Sequence, residues 1–386
     1  MAGGAETYLS GIVPELCRGG HDLAFLHEVD SPAGRERIPL PDSAPHWCVA
    51  DIGAGGAVAA LREWRPDLMY MHSSLQQDWI AETVAAIPTV FFCHDYVGTC
   101  ISGNKSFQYP VERPCARRFG PPCLLQYYPR RCGGWSPMTM WSEYRKQSKR
   151  LDLLRLGRAI LTASNAMRRE YLQHGFEPER VHIVPYYSPV ADACKQIALD
   201  GKRLARLLFA ARMERLKGGH FLLDALPRAA AALGQSIHAT FAGDGSYRAQ
   251  WEKKAAQMDL PVEFTGWLTS GELESRMSAS DLLVVPSIWP EPFGLVGIEA
   301  GLRRVPAAAF AVGGIPDWLH DGVNGYLAPG DPPTSSGLAE AIARCLRDPV
   351  NHARLREGAY EMASRFAVHD HMEKLVAIFE KAVHGK

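Results

Sequence analysis

The chain has 386 residues, 42 Lys or Arg against 42 Asp or Glu, and 47% apolar residues. That composition excludes a disordered, collagen-like or disulfide-stapled chain, and zero net charge supplies no overall field for nucleic acid or membrane. At about 150 residues per domain, the length suggests two domains, each able to bury its own core. The longest apolar stretches, such as 87–93, are too short to span a membrane. The opening MAGGAETYLSG has neither a basic n-region nor an apolar h-region, which points to a cytoplasmic protein. Nine cysteines without a CxxC pair argue against a disulfide framework.

In chain order, the first half predicts a helix over 6–17, a strand over 22–28, a helix over 57–64 and a strand over 68–72. A helix over 78–86, a strand over 89–93, a strand over 159–163, a helix over 165–174 and a strand over 181–185 follow. The second half predicts strands over 207–211, 239–242, 262–265, 282–286 and 307–310, with helices over 218–233, 247–258, 270–279 and 295–302. Such alternation implies parallel sheets covered by helices on both faces. The expected fold is α/β, with two doubly wound Rossmann-like domains facing across a cleft. Residues 1–190 form the first domain, 203–365 the second, and a helical tail over 366–386 braces the two. A polar stretch near 189–202 is the linker. No strand precedes the glycine loop at Gly3 and Gly4, so an inner strand is missing and the native start is expected upstream of Met1.

The most informative stretch is SIWPEPFGLVGIEA, residues 287–300. It puts Glu291 in a Pro-bounded loop at a helix mouth and Glu299 a little over two turns on. A helix N-terminus suits a phosphate, and carboxylates suit vicinal hydroxyls, so the pair suggests a sugar nucleotide. A capping Glu and a solvated helical Glu would leave the same trace. In LLFAARMERLKGG, Arg212 ends a strand and Lys217 opens a helix, at the sheet edge where open α/β folds bind ligands. Both could neutralise a diphosphate, or lie solvated on the surface. FAGDG at 241–245 imitates a dinucleotide fingerprint but lacks its third glycine. His94 follows the strand IPTVFFC at a carboxyl end, and Ser164 caps a helix from the same topological position.

In this order the motifs resemble those of retaining family 4 glycosyltransferases, which have the two-domain GT-B fold. LLFAARMERLKG resembles the family's strand–Arg–x4–Lys–Gly element, with Ala211 where Gly is usual. EPFGLVGIE resembles its E-x7-E signature, and GGIPDWL and DGVNGYLAPGD resemble the loops that follow. GGAE and FFCHDY resemble its amino-terminal glycine loop and the histidine after its fourth strand. The resemblance implies that Gly3 and Gly4 present amides to the donor diphosphate and that His94 contacts the donor sugar. It gives Arg212 and Lys217 the leaving diphosphate. Glu291 would bond donor-sugar hydroxyls, near the amides of Phe293, Gly294 and Leu295. Glu299 would hold the ribose, and backbone near 266–268 the base. It also implies attack by the acceptor hydroxyl on the face that the diphosphate leaves, with no cofactor. The chain has no Asp-x-Asp, so no metal is expected.

About 40 residues between His94 and Ser136, centred on an insertion over 98–135, show little periodicity. Cys100, Cys115, Cys123 and Cys132 lie there, and could hold zinc or be buried thiols. A similar cysteine-bearing loop occurs in some members of the family. From 105 to 158, 12 Lys or Arg face only Glu112, Glu143 and Asp152. That excess suits a polyprenyl-diphosphate-linked acceptor or an anionic membrane surface, or is simply a solvated basic helix. The expected partners are a UDP- or GDP-sugar donor and a sugar or lipid-linked acceptor in envelope or exopolysaccharide synthesis, with peripheral membrane contact through 105–158 and no nucleic acid. Other readings are a GT-B epimerase or phosphorylase, and an inactive nucleotide-sugar-binding protein.

Overall fold

The computed structural model describes residues 4–29, 38, 40–41, 43–72, 78–188 and 204–385. They fall into two compact units. One contains the described residues of Ser188–Ala367 together with Lys105–Ala116; the other contains those of 2–104, Arg117–Tyr187 and Val368–Lys386. The expected linker over 189–202 and Gly3 lie outside the described residues. Gly4 heads the helix Gly4–Arg18.

The carboxy-terminal unit is built on six parallel strands. Their order across the sheet is Val262–Gly266, Ile237–Ala242, Ala205–Ala210, Leu282–Val285, Ala307–Phe310 and Gly325–Ala328. Numbered from Ala205–Ala210, this is the doubly wound order 3-2-1-4-5-6, whose switch point lies between the first and fourth strands. Leu282 and Leu283 pair there with Leu207 and Leu208. Central residues Leu208, Phe241, Leu283 and Ala308 are buried, as expected for a parallel sheet covered on both faces. The chain leaves the first strand into the 3-10 turn Arg215–Lys217, then Gly218, then the helix Gly219–Leu233. Gly218 has φ 71° in the left-handed region, and a Cβ there would lie 1.7 Å from the Pro286 carbonyl oxygen. This contact clamps the loops after strands 1 and 4 together at the switch point. Gly218→Ala is therefore expected to cost about 3 kcal/mol of stability through strain and overpacking. Thermal unfolding checks this, and an unchanged midpoint would contradict the clamp.

The amino-terminal unit has four parallel strands in the order Met69–Met71, Thr89–Cys93, Ala159–Thr162 and Val181–Ile183. A separate parallel pair, Phe25–His27 with His46–Cys48, leads directly into the helix Val49–Trp64. That helix starts well before the predicted 57. Gly53, at φ 69°, interrupts it, and a glycine-rich first half carries little helical signal. The strands His46–Cys48 and Gly325–Ala328 had no predicted counterpart. The tail helix Val368–His384 belongs to the amino-terminal unit, where Phe379 meets Tyr70 edge-on at 4.9 Å between ring centroids.

The insertion is also more divided than its sequence suggests. Lys105–Ala116 joins the carboxy-terminal unit, with the short antiparallel pair Ser106–Phe107 and Arg113–Pro114. The helices Pro122–Gln126 and Pro137–Leu156 stay with the amino-terminal unit. Among the described residues, Cys100, Cys115, Cys123 and Cys132 included, no three His, Cys, Asp or Glu side chains are grouped to hold a metal. None of the helices searched among those residues is long and apolar enough to cross a membrane.

Candidate functional site

In the carboxy-terminal unit the switch point brings together residues more than 70 positions apart. Lys217, from the loop after the first strand, donates from Nζ to Oε1 of Glu291 at 2.6 Å. Glu291 sits in the loop after the fourth strand, and both side chains are largely buried. The Lys217 ammonium also lies 4.7 Å from the Trp289 ring centroid. Main-chain bonds stitch the two loops together, because the amides of Ile288 and Trp289 both donate to the Leu216 carbonyl. On the other side, the Gly314 amide donates to the Glu291 carbonyl at 2.6 Å. The pair is thus held by backbone rather than by long side chains alone.

Behind Glu291 comes the helix Leu295–Leu302, entered through Gly294 at φ 97°. Trp318 Nε1 donates to the Phe293 carbonyl at 2.7 Å, and the Phe293 ring packs on Phe366. These contacts fix the Phe293–Leu295 turn, whose first helical amides point out of the helix end. Such an end favours an anionic group. Glu299 lies partly buried about one turn into this helix. Burial raises its carboxyl, Arg303 opposes that rise, and Glu274 adds to it; the net shift is upward. Hydrogen-bond donors from a ligand would relieve this desolvation. The Arg212 side chain is exposed at the end of the first strand. The FAGDG loop clasps that strand end instead of making a fingerprint: the Met213 amide donates to the Asp244 carbonyl at 2.7 Å.

The insertion contributes a carboxylate that sequence reasoning missed. Glu112 accepts from Arg215 Nε and pairs with His220 Nε2 at 3.2 Å. Burial raises the Glu112 carboxyl, but His220 and Arg215 outweigh it and hold it below its ordinary value. The lever is one residue in an irregular 40-residue loop, which no periodicity could mark.

In the amino-terminal unit, His94 follows the strand Thr89–Cys93 and stands in a row across the carboxyl ends of the sheet. Its Nε2 meets His72 Nδ1 at 2.8 Å, and its Nδ1 meets the Tyr186 hydroxyl at 2.5 Å. His72 follows the neighbouring strand on one side, and Tyr186 follows the outer strand Val181–Ile183. The His94 ring stacks on Phe92 at 4.6 Å and runs parallel to Tyr186 within 6°. Burial lowers His94 to about 4, and lowers His72 well below its usual value, with His94 adding to that fall. Both rings are neutral near pH 7, so one nitrogen of each is a donor and the other an acceptor.

A second chain of polar groups runs beside them. His371 Nδ1 bonds the Pro185 carbonyl at 2.7 Å, and a carbonyl only accepts, so His371 carries its proton on Nδ1. Burial also lowers His371 to about 4, leaving Nε2 to accept from the Tyr8 hydroxyl at 2.8 Å. The Tyr8 oxygen then accepts from Tyr70 at 2.9 Å. The tail helix is thereby bonded to the first helix and to the end of the sheet. A histidine depressed in the folded state stabilises it above the unfolded value near 6.5 and loses that contribution as pH falls toward 4. For His94 and His371 the loss by pH 4 is on the order of 3 kcal/mol each. Denaturant unfolding from pH 7.5 to 4.5 should show the fall, and His371→Gln should shrink it. A profile flat across that range would contradict the buried neutral pair.

The two groups of residues account for the sequence expectations as follows. Glu291, Phe293, Gly294, Leu295 and Glu299 lie on the loop and helix after the fourth strand, and Lys217 reaches Glu291 from the loop after the first, which also carries Arg212. His94 stands in the other unit with its own partners. Ser164 accepts from the Met167 amide at 3.2 Å, so its cap is explained by the helix it starts. Tyr8, His72, Tyr186 and His371 were missed; each looks like an ordinary core aromatic in sequence.

Comparison with known proteins now bears on these features. A family model described as "Glycosyl transferases group 1" matches residues 190–362, and one described as "Glycosyltransferase Family 4" matches residues 2–186. The chain is 34% identical to the D-inositol 3-phosphate glycosyltransferase of Saccharomonospora viridis, over 99% of this chain and 90% of that one. It is 32% identical to D-inositol 3-phosphate glycosyltransferase 1 of Catenulispora acidiphila, in a match that spans only 58% of that relative's length. The crystal structure of Anabaena HepE with UDP and glucose has the same fold. It aligns with a TM-score of 0.67 at 20% identity over 98% of this chain and 96% of that one. The two parallel α/β units and the helical tail are thus those of the GT-B class. Within it, the chain belongs to glycosyltransferase family 4, the glycosyl transferases of group 1.

Proposed function

We propose that the protein transfers a sugar from a nucleoside diphosphate donor to an acceptor hydroxyl with retention at the anomeric carbon, without a divalent metal. The observation that carries this reading is the Lys217–Glu291 pair at the switch point, beside the amino end of the helix Leu295–Leu302. A cation and a helix end suit a diphosphate, and Glu291 suits the hydroxyls of the attached sugar. Arg212, on the adjacent loop, adds a second cation. Glu299 takes the ribose hydroxyls, which relieves its desolvated carboxyl. By family resemblance, the amides of Gly3 and Gly4 also serve the donor diphosphate.

In this mechanism the acceptor hydroxyl forms its bond to the anomeric carbon on the face from which the diphosphate departs. The C–O bond to the diphosphate breaks, and its leaving oxygen takes the hydroxyl proton. Lys217 and Arg212 stabilise the charge that grows on that oxygen. His94, neutral near pH 7, contacts the donor sugar near the reacting centre. UDP is the preferred nucleotide, since the Anabaena protein of the same fold was crystallised with UDP and glucose. The acceptor is a sugar or lipid-linked glycan of the cell envelope or of an exopolysaccharide. The enzyme works in the cytoplasm, at the membrane face through its basic segment.

Incubation with UDP- and GDP-sugars in EDTA, with and without an acceptor panel, tests the reading. Acceptor-dependent release of nucleotide and an α-linked product from an α-linked donor are expected. Conversion of the donor sugar without acceptor would indicate an epimerase instead. Nucleotide binding with no turnover on any acceptor would indicate a binding protein.

A further inference from the structure

The basic segment is not uniform once folded. Lys105 and Arg113 belong to the part that joins the carboxy-terminal unit, leaving ten Lys or Arg against Glu143 and Asp152 between 117 and 158. Within that stretch lie five exposed large apolar side chains, Leu156 at the far end of the helix Pro137–Leu156 and four others at or before its first turns. Met138 is 83% exposed, Leu125 77%, Trp135 72% and Trp141 52%. Met138 and Trp141 lie three residues apart on the helix Pro137–Leu156, and Arg145 and Lys149 continue the same exposed face at four-residue steps. The opposite face, with Gln147, Leu151 and Leu154, is buried.

Both indoles are exposed, and each lies nearly parallel to a tyrosine ring. Trp135 stacks on Tyr128 with ring planes 14° apart, and Trp141 on Tyr144 with planes 18° apart. Tyr144 in turn packs on Phe119. Exposed tryptophans beside a methionine and a leucine are costly in water, and a globular surface rarely gathers them without a partner. Trp favours the boundary between headgroups and acyl chains, while Lys and Arg favour anionic headgroups. The helix is too polar to enter the bilayer fully; its exposed face carries Met138 and Trp141 at the amino end, with Arg145 and Lys149 behind them.

We infer that Leu125, Trp135, Met138 and Trp141 form a wedge that inserts at the interface of an anionic bilayer, with Arg145 and Lys149 on the headgroups behind it. The inference rests on and deepens the proposed membrane-side function, since it seats the amino-terminal unit on the surface where a lipid-linked acceptor would lie. Charge complementarity selects lipid over a second copy of this chain, whose identical patch would bring like charges together.

The test uses the full chain with phosphatidylcholine vesicles, with and without about 30% phosphatidylglycerol, at low and moderate salt. Sedimentation should show binding to the anionic vesicles at least tenfold above the neutral ones, weakened by salt. Brominated lipid should quench tryptophan emission. Trp135→Ser/Met138→Ser/Trp141→Ser should abolish the quenching, and Arg145→Glu/Lys149→Glu should cut binding at least tenfold. All these side chains are exposed, so both variants should keep the wild-type melting midpoint and its nucleotide-induced shift. That shift reports the donor site alone, so a failure of the glycosyltransferase reading is distinguishable from a failure here. Absence of binding to anionic vesicles, binding unchanged in both variants, or binding without quenching would overturn the wedge. A dimer abolished by the triple variant would assign the patch to a second copy and overturn it too.

Discussion

Lys217→Ala is expected to lower turnover by about 10²–10³-fold, the usual cost of removing one preorganised group that stabilises developing charge. Its ammonium is held in place before any ligand arrives, by Glu291 at 2.6 Å and by the Trp289 face at 4.7 Å. Little reorganisation is then needed as the diphosphate leaves. Glu291→Ala removes both the carboxylate proposed to bind the donor sugar and the partner that orients Lys217, so about a hundredfold loss of turnover is expected with a small change in nucleotide affinity. Because the two side chains act as one unit, the double variant should lose little more than the worse single one. Steady-state kinetics on the four proteins checks this. Fully additive losses would mean that the pair is an accident of packing.

His94→Ala is expected to cost about a hundredfold in kcat/KM, if it removes the positioned polar group proposed to contact the donor sugar. The pH profile is the sharper observable. Burial holds His94 at about 4, so the ring stays neutral through the physiological range and its protonation should not shape kcat/KM between pH 5.5 and 8. Tyr186→Phe removes the hydroxyl on His94 Nδ1 and should cost about tenfold, one hydrogen bond, mainly in kcat. A limb near pH 6.5 that disappears in the His94 variant would contradict the neutral ring.

Much of this arrangement was legible from residue spacing. The alternation of apolar runs with 3.6-period stretches gave the strands of the carboxy-terminal unit almost in full, because parallel strands buried on both faces are continuous apolar runs. Arg212, Lys217 and Glu291 were found because strand ends and a Pro-bounded loop mark the carboxyl edge of a sheet. Gly325–Ala328 was not found. Its first residue is the last of DGVNG, whose turn signal hides a short edge strand. The helix from Val49 was seen only from 57, since Gly53, Gly55 and Gly56 remove the helical signal that tertiary packing restores.

The amino-terminal site was the least legible. His94 could be placed because it directly follows an apolar strand. Its partners His72 and Tyr186 come from positions 22 residues before and 92 after, and only the parallel pairing of the strands sets them in line. Sequence spacing carries no register between non-adjacent strands. The Tyr8–His371 bond, across 363 residues, depends on where the tail helix packs, which amphipathic spacing alone does not specify.

The most direct measurement is thermal stabilisation by UDP, GDP, ADP and NAD, on wild type and on Glu299→Ala. A ligand at about 100 times its Kd adds about 2.7 kcal/mol, a shift that a melting scan resolves. The account predicts stabilisation by UDP, with ADP and NAD inactive, and a shift largely lost in Glu299→Ala. Stabilisation by none of the four, or a shift the same size in the variant, would contradict a donor site at the switch point of the carboxy-terminal sheet.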